Sequence, residues 1–183
     1  MAFPRVLAAA LLLLPLPVPT ASIPPVPVPS LTGSPAPAPA VVYRPPLPGA
    51  IIRHFEPPPT PYSAGHRGID IAAPSDSIVR AAAAGRVAFA GPVGGSVAVS
   101  IDHPDGIRTT YSYLASALVR AGGTVARGDP IARSGTGHPD ESGEAHVHVG
   151  ARRGETYIDV EALIVDSLRR DHAGLVRLAP DAG

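Results

Sequence analysis

The chain has 183 residues, with 15 basic and 15 acidic side chains, a formal net charge of zero and 45% hydrophobic residues. That length suits one modest domain, and neutrality argues against a nucleic-acid partner, which calls for a basic face. Every basic residue is arginine and cysteine is absent, so disulfides, thiolate metal sites, lipid-modified cysteines and lysine-linked cofactors are all excluded.

Residues 1–22 have the layout of a secretory signal peptide: one positive charge at Arg5, an apolar run from Val6 to Leu14, then small residues at Thr20, Ala21 and Ser22. The run is shorter than the roughly 20 residues of a membrane span. Prolines interrupt it from Pro15 onward, so the expectation is export without a transmembrane anchor. Residues 23–49 are dense in proline, which favours extended polyproline-II segments and predicts a disordered linker.

Residues 50–166 change texture to short apolar alternations broken by glycine. Strands are predicted at Gly68–Ala72, around Ile78 and Val79, and around Val87 and Phe89. Val97, Val99 and Ile101 alternate with a period of two. Pro104, Asp105 and Gly106 then supply turn chemistry before the β-branched and aromatic stretch IRTTYSYL, which together read as a hairpin. Two further short strands hinge at Gly128 and Asp129, and AHVHVGARR forms another. Asp159 is a candidate N-cap for a short helix over VEALIVDSLRR, and 167–183 read as a tail. This pattern predicts an all-β domain, a small antiparallel sandwich or partly open barrel, with a short C-terminal helix.

Two motifs carry chemistry. His146 and His148 lie two apart in a predicted strand and share a face. An isolated pair of this kind is usually a half-exposed strand that happens to carry imidazoles. Upstream, GHRGID places His66 and Asp70 at even separations from Gly68, which again gives one face in extended chain. Two histidines and an aspartate make a nitrogen and oxygen set suited to zinc. Three protein ligands leave a fourth position open, as in catalytic sites.

In order, GHRGIDIAAP, VRAAAAGRVAFAG, VAVSIDHPDGIRTTYSYL, VRAGGTVARGDPIARSGTG and AHVHVGARR resemble the motifs of the lysostaphin/LytM-type zinc metallopeptidases, β-sheet endopeptidases of bacterial cell walls. The resemblance covers roughly the last two-thirds of the chain. It implies zinc held by His66, Asp70 and His148, with His146 as a catalytic histidine and zinc-activated water as nucleophile. It also implies peptidoglycan stem peptides or cross-links as substrate and a secreted, wall-associated protein. Tyr113 departs from the family's YxHL pattern by standing where a histidine is usual. A phenol donates a hydrogen bond to an oxyanion but is a poor proton acceptor at neutral pH. The alternative is therefore a weak or inactive LytM-like domain that binds cell wall or regulates other wall hydrolases. His103 is expected to be structural, and His54 and His172 to be surface or packing residues. His138 is a remote candidate to stand in for the missing imidazole. Arg67 is either solvated or a partner for a substrate carboxylate.

Overall fold

The computed structural model describes residues 41–60, 62–138 and 143–178. The expected signal peptide and most of the expected linker lie outside them. Ten strands occur among these residues: β1 (Ile51–Arg53), β2 (Gly68–Ala72), β3 (Ile78–Arg80), β4 (Gly85–Val93), β5 (Ser96–Asp102), β6 (Ile107–Ala117), β7 (Thr124–Val125), β8 (Pro130–Ser134), β9 (His146–Arg153) and β10 (Thr156–Ile158). A helix, α1 (Val160–Leu178), follows them. The strands form one antiparallel sheet in the order β1-β2-β9-β6-β5-β4-β7, with β10 on β9 and with β8 pairing both β3 and β6. The sheet is open, with β1 and β7 at its ends, in keeping with the all-β expectation.

Alternation assigns the two faces of this sheet. One carries Ile69 and Ile71 from β2, Val147 and Val149 from β9, Thr109 and Tyr111 from β6, and Val99 and Ile101 from β5, all buried. The opposite face carries polar side chains and small residues, and it is there that the motif residues lie. Register fixes their rows across the strands: Asp70 pairs with His148, which pairs with Ser112. Two positions along, Gly68 pairs with Gly150, which pairs with Thr110.

β6 changes partner midway. Its pairing with β9 ends at Ser112 opposite His148, and its pairing with β8 begins at Leu114 opposite Ser134. Tyr113 occupies the switch, where the register to β5 is also irregular, with a left-handed φ of 60°. Such an irregularity re-aims a side chain, and a non-glycine residue held at positive φ stores local strain.

Two boundaries differ from the sequence expectation. Residues 41–49, assigned to the linker, belong to the folded unit: Tyr43 and Leu47 are buried in the core. The backbone there is anchored by hydrogen bonds from Arg44 N to Ala82 O and from Arg80 N to Pro46 O. The Tyr43 hydroxyl donates to the Asp105 carboxylate at 2.9 Å. At the other end, helix continues through much of the expected tail. Asp159 caps it as the sequence implied, its Oδ1 accepting from the Glu161 and Ala162 amides at 2.9 and 3.3 Å. Val160, Ile164 and Ser167 turn inward and are buried. Among the described residues no helix is long and apolar enough to cross a membrane.

Candidate metal centre

His66, Asp70 and His148 meet at one point although the first and last are 82 residues apart in sequence. Asp70 projects from β2 and His148 from the paired position on β9, both on the open face. His66 lies just before β2, steadied by an isolated bridge to Glu56. His66 Nε2 is 3.1 Å from Asp70 Oδ1 and 3.0 Å from His148 Nδ1, and His148 Nδ1 is 2.8 Å from Asp70 Oδ1.

The donor set fits a divalent ion. His66 Nδ1 lies 2.7 Å from the His54 carbonyl oxygen, which only accepts, so Nδ1 carries the proton. In a neutral ring Nε2 is then a bare lone pair facing a carboxylate oxygen and a second imidazole nitrogen. His66 Nε2 and the Asp70 carboxylate are acceptors, His148 Nδ1 faces both, and a cation in place of the His148 proton satisfies all three at once. Two nitrogens and one oxygen match zinc, and the His54 carbonyl is the outer partner that fixes ring orientation at such centres. Burial alone would raise the Asp70 carboxyl. The hydrogen bond with His148 and the charges of His148, His66 and His146 outweigh it and hold the group below the usual carboxylate range.

Glycine makes room for this arrangement. A Cβ on Gly68 would lie 2.4 Å from the Val149 carbonyl oxygen and 2.8 Å from His148 Nε2, so only a bare backbone lets the ring lie across β2. Gly137, at φ +86°, passes over His146, where a Cβ would meet ring atoms at 2.5–2.6 Å.

His146 is buried beside the centre and is not one of the three converging groups. Its Nδ1 donates to the Glu144 carbonyl at 2.8 Å, leaving Nε2 as the acceptor, which receives the His138 amide at a long 3.3 Å. The Tyr113 ring stands edge-on to His146 and His148, with centroids 6.0 and 6.3 Å away. His138, the remote candidate, comes to the site: its ring packs against Tyr113 at 5.3 Å and lines the same concavity as the converging groups. Arg53, which sequence reasoning passed over, lines it too. Arg67 borders it, donating to the Ser63 carbonyl at 3.1 Å and standing 5.9 Å from the Tyr157 ring centroid.

The other histidines lie apart. His103 is buried on the core face between the Ala84 carbonyl and Thr109 Oγ1, with Tyr43 edge-on at 5.1 Å. The His54 side chain is exposed and pairs with Glu161, and His172 is exposed on α1.

The model of Peptidase family M23 matches residues 64–160. Among curated proteins, the uncharacterized protein Rv2891 of Mycobacterium tuberculosis is 36% identical over 121 residues, which is 64% of this chain and 48% of that protein. The DD-carboxypeptidase/endopeptidase Mpg of Neisseria meningitidis is 42% identical over 88 residues, 48% of this chain and 20% of that protein. The chain thus spans less than half the length of either. The catalytic domain of lysostaphin, the antimicrobial peptidase of Staphylococcus simulans, has the same fold, with a TM-score of 0.55 and 21% identity over 64% of this chain and 92% of that domain.

Proposed function

This chain belongs to peptidase family M23, and from that membership we propose that it is a zinc-dependent peptidase acting on peptidoglycan peptides, stem or cross-link, outside the cytoplasm. The observation that carries the proposal is the convergence of His66 Nε2, Asp70 Oδ1 and His148 Nδ1 within hydrogen-bond distance of one another.

Those three atoms would hold the ion. Zinc bound there supplies Lewis acidity, polarising a peptide carbonyl and making a water acidic near neutral pH. The chain's own groups do the rest. The contact between Nδ1 and Glu144 O fixes the His146 tautomer, so Nε2 is the basic atom. It takes the proton from the attacking water and returns it to the leaving amine nitrogen. Its 3.3 Å contact with the His138 amide is long enough to yield to a substrate-bound water. Tyr113, held at positive φ with its ring facing both histidines, donates its hydroxyl hydrogen to the carbonyl oxygen as charge builds there.

The test compares two single variants of the zinc-supplemented protein on purified wall peptides. His148→Ala and His146→Ala both abolish turnover, but only His148→Ala releases the metal. Zinc retained without turnover in the unsubstituted protein would instead favour a wall-binding or regulatory domain, the reading that the histidine-to-tyrosine departure at Tyr113 keeps in view.

A further inference from the structure

Beyond the metal centre the open face continues as a groove of about 330 Å³ that runs from His148 and Ser112 to Arg108 and Arg152. Register explains its shape. Gly68, Gly150 and Thr110 form the row next to the centre, so the floor there is low. Ser100 and Thr110 lie across from each other on β5 and β6 with their hydroxyls 2.9 Å apart. In the following row Arg152 pairs directly with Arg108, which pairs with Asp102.

Two arginines directly opposite each other on adjacent strands repel. Two acids at the margin offset part of that. Asp102 takes Arg108 in a two-point contact, Arg108 Nη2 lying 2.8 Å from Oδ2. Glu155 lies 3.7 Å from Arg152. Neither acid lines the groove, whereas both arginines do, with Arg67 on the same wall near the centre. The result is a trough that begins at the metal-ligating row, has a hydroxyl and glycine floor, and ends in guanidinium groups. The concavity on the other side of Tyr113 differs: Val93, Gly94, Gly95, Ser96, Thr136 and His138 are among the residues that line it, and no arginine does.

We propose that Arg108 and Arg152 form a carboxylate-binding subsite, which selects substrates bearing an acidic group on one side of the bond that is cut. This rests on the peptidase reading and adds to it a specificity that neither the family match nor the metal ligands supply. Arg152 lies four positions from His148 on β9, and Arg108 four from Ser112 on β6. At a strand rise of about 3.3 Å per residue the arginine row is roughly 13 Å from the metal-ligating row. A peptide extended along β6 and β9 has the same rise. The acidic group therefore belongs three to four residues from the cut bond, roughly 10–13 Å away. Asp102 is a positioning residue, holding the Arg108 fork while leaving Nη1 for the ligand.

The test titrates the zinc-loaded full chain calorimetrically with two probes: a peptidoglycan stem peptide with free carboxylates, and the same peptide with those carboxylates amidated. The free acid binds at least about tenfold more tightly, and the advantage shrinks as salt is raised. In the double variant Arg108→Gln/Arg152→Gln the advantage falls below about twofold. Arg108→Lys keeps part of it, because the charge remains while the fork is lost. Equal binding of both peptides by the unsubstituted chain, or an advantage that survives in the double variant, would overturn the subsite while leaving the peptidase reading intact. Failure of both peptides to bind or be cleaved would remove both.

Discussion

The two faces of one sheet each hold a buried histidine group, and the groups are built on opposite principles. On the core face His103 donates from Nδ1 to the Ala84 carbonyl and accepts at Nε2 from Thr109 Oγ1. The Tyr111 hydroxyl stands 3.2 Å from that Thr109 oxygen and accepts the Ala82 amide at 2.8 Å. Each donor there meets an acceptor and the group is complete. On the open face His66 spends its one proton on the His54 carbonyl, and what remains points at a carboxylate and another imidazole. A histidine with both nitrogens matched to protein partners serves the fold. Two imidazole nitrogens and a carboxylate oxygen that converge on one another, with a single shared proton at most between them, suit a cation. Burial does not separate the two cases, since His66 and His103 are nearly equally buried at 6% and 5% exposure. Partner chemistry does.

Substitutions that cross this division should behave asymmetrically. Among substitutions outside the three converging groups, Gly68→Ala has the largest expected effect at the centre, because the new Cβ would drive into the Val149 carbonyl and the His148 ring. Zinc affinity should fall by about 10–100-fold, the cost typical of disturbing ligand orientation, when measured by competition with a chromophoric chelator. His103→Ala should leave zinc stoichiometry unchanged. It should cost about 2–4 kcal/mol in urea unfolding, because it opens a cavity and strands the Thr109 hydroxyl and the Ala84 carbonyl.

A pH series sharpens the same contrast. Burial pushes the His103 imidazole below its ordinary value of 6.5, against the opposing pull of the Ala84 carbonyl and the Asp105 and Asp102 charges. The unfolded chain therefore takes up a proton below about 6.5 that the folded chain refuses. His103 contributes stability that is fully present above that value and is lost as pH falls toward the depressed folded value. Unfolding of metal-free protein between pH 7.5 and 5 should show this slope, and His103→Gln should flatten it. His54→Ala has the smallest expected effect. Only the exposed pair with Glu161 is lost, worth about 0–1 kcal/mol, while the carbonyl that orients His66 is backbone and stays.

In the sequence, strand periodicity places Asp70 with its neighbours and His148 with His146 on strand faces, but grouping Asp70 and His148 with His66, which lies just before β2, rests on the ordered motifs that resemble a known family. The Val97, Val99 and Ile101 alternation sets the face of its hairpin. Other features depended on pairing that no local pattern carries. The proline-rich composition of 23–49 hid Tyr43 and Leu47, two isolated apolar anchors whose segment is tied to residues 80–82 by the backbone hydrogen bonds from Arg44 N to Ala82 O and from Arg80 N to Pro46 O. The three-residue strand Thr156–Ile158 is too short to show a period. His138 reaches the centre because a glycine-containing loop folds over His146. Arg108 and Arg152 lie 44 positions apart, and only the register of β6 on β9 makes them neighbours. The left-handed backbone of Tyr113 follows from β6 exchanging β9 for β8, a topological fact with no signature in the YSYL tetrapeptide.

The central claim is most directly tested by the metal content of the purified chain after zinc supplementation and dialysis, measured alongside His66→Ala, Asp70→Ala, His148→Ala and His103→Ala. The account predicts one zinc per chain in the unsubstituted protein and in His103→Ala, and a loss of stoichiometric metal in the other three. A chain that retains no zinc, or retains it equally in all five proteins, would contradict it.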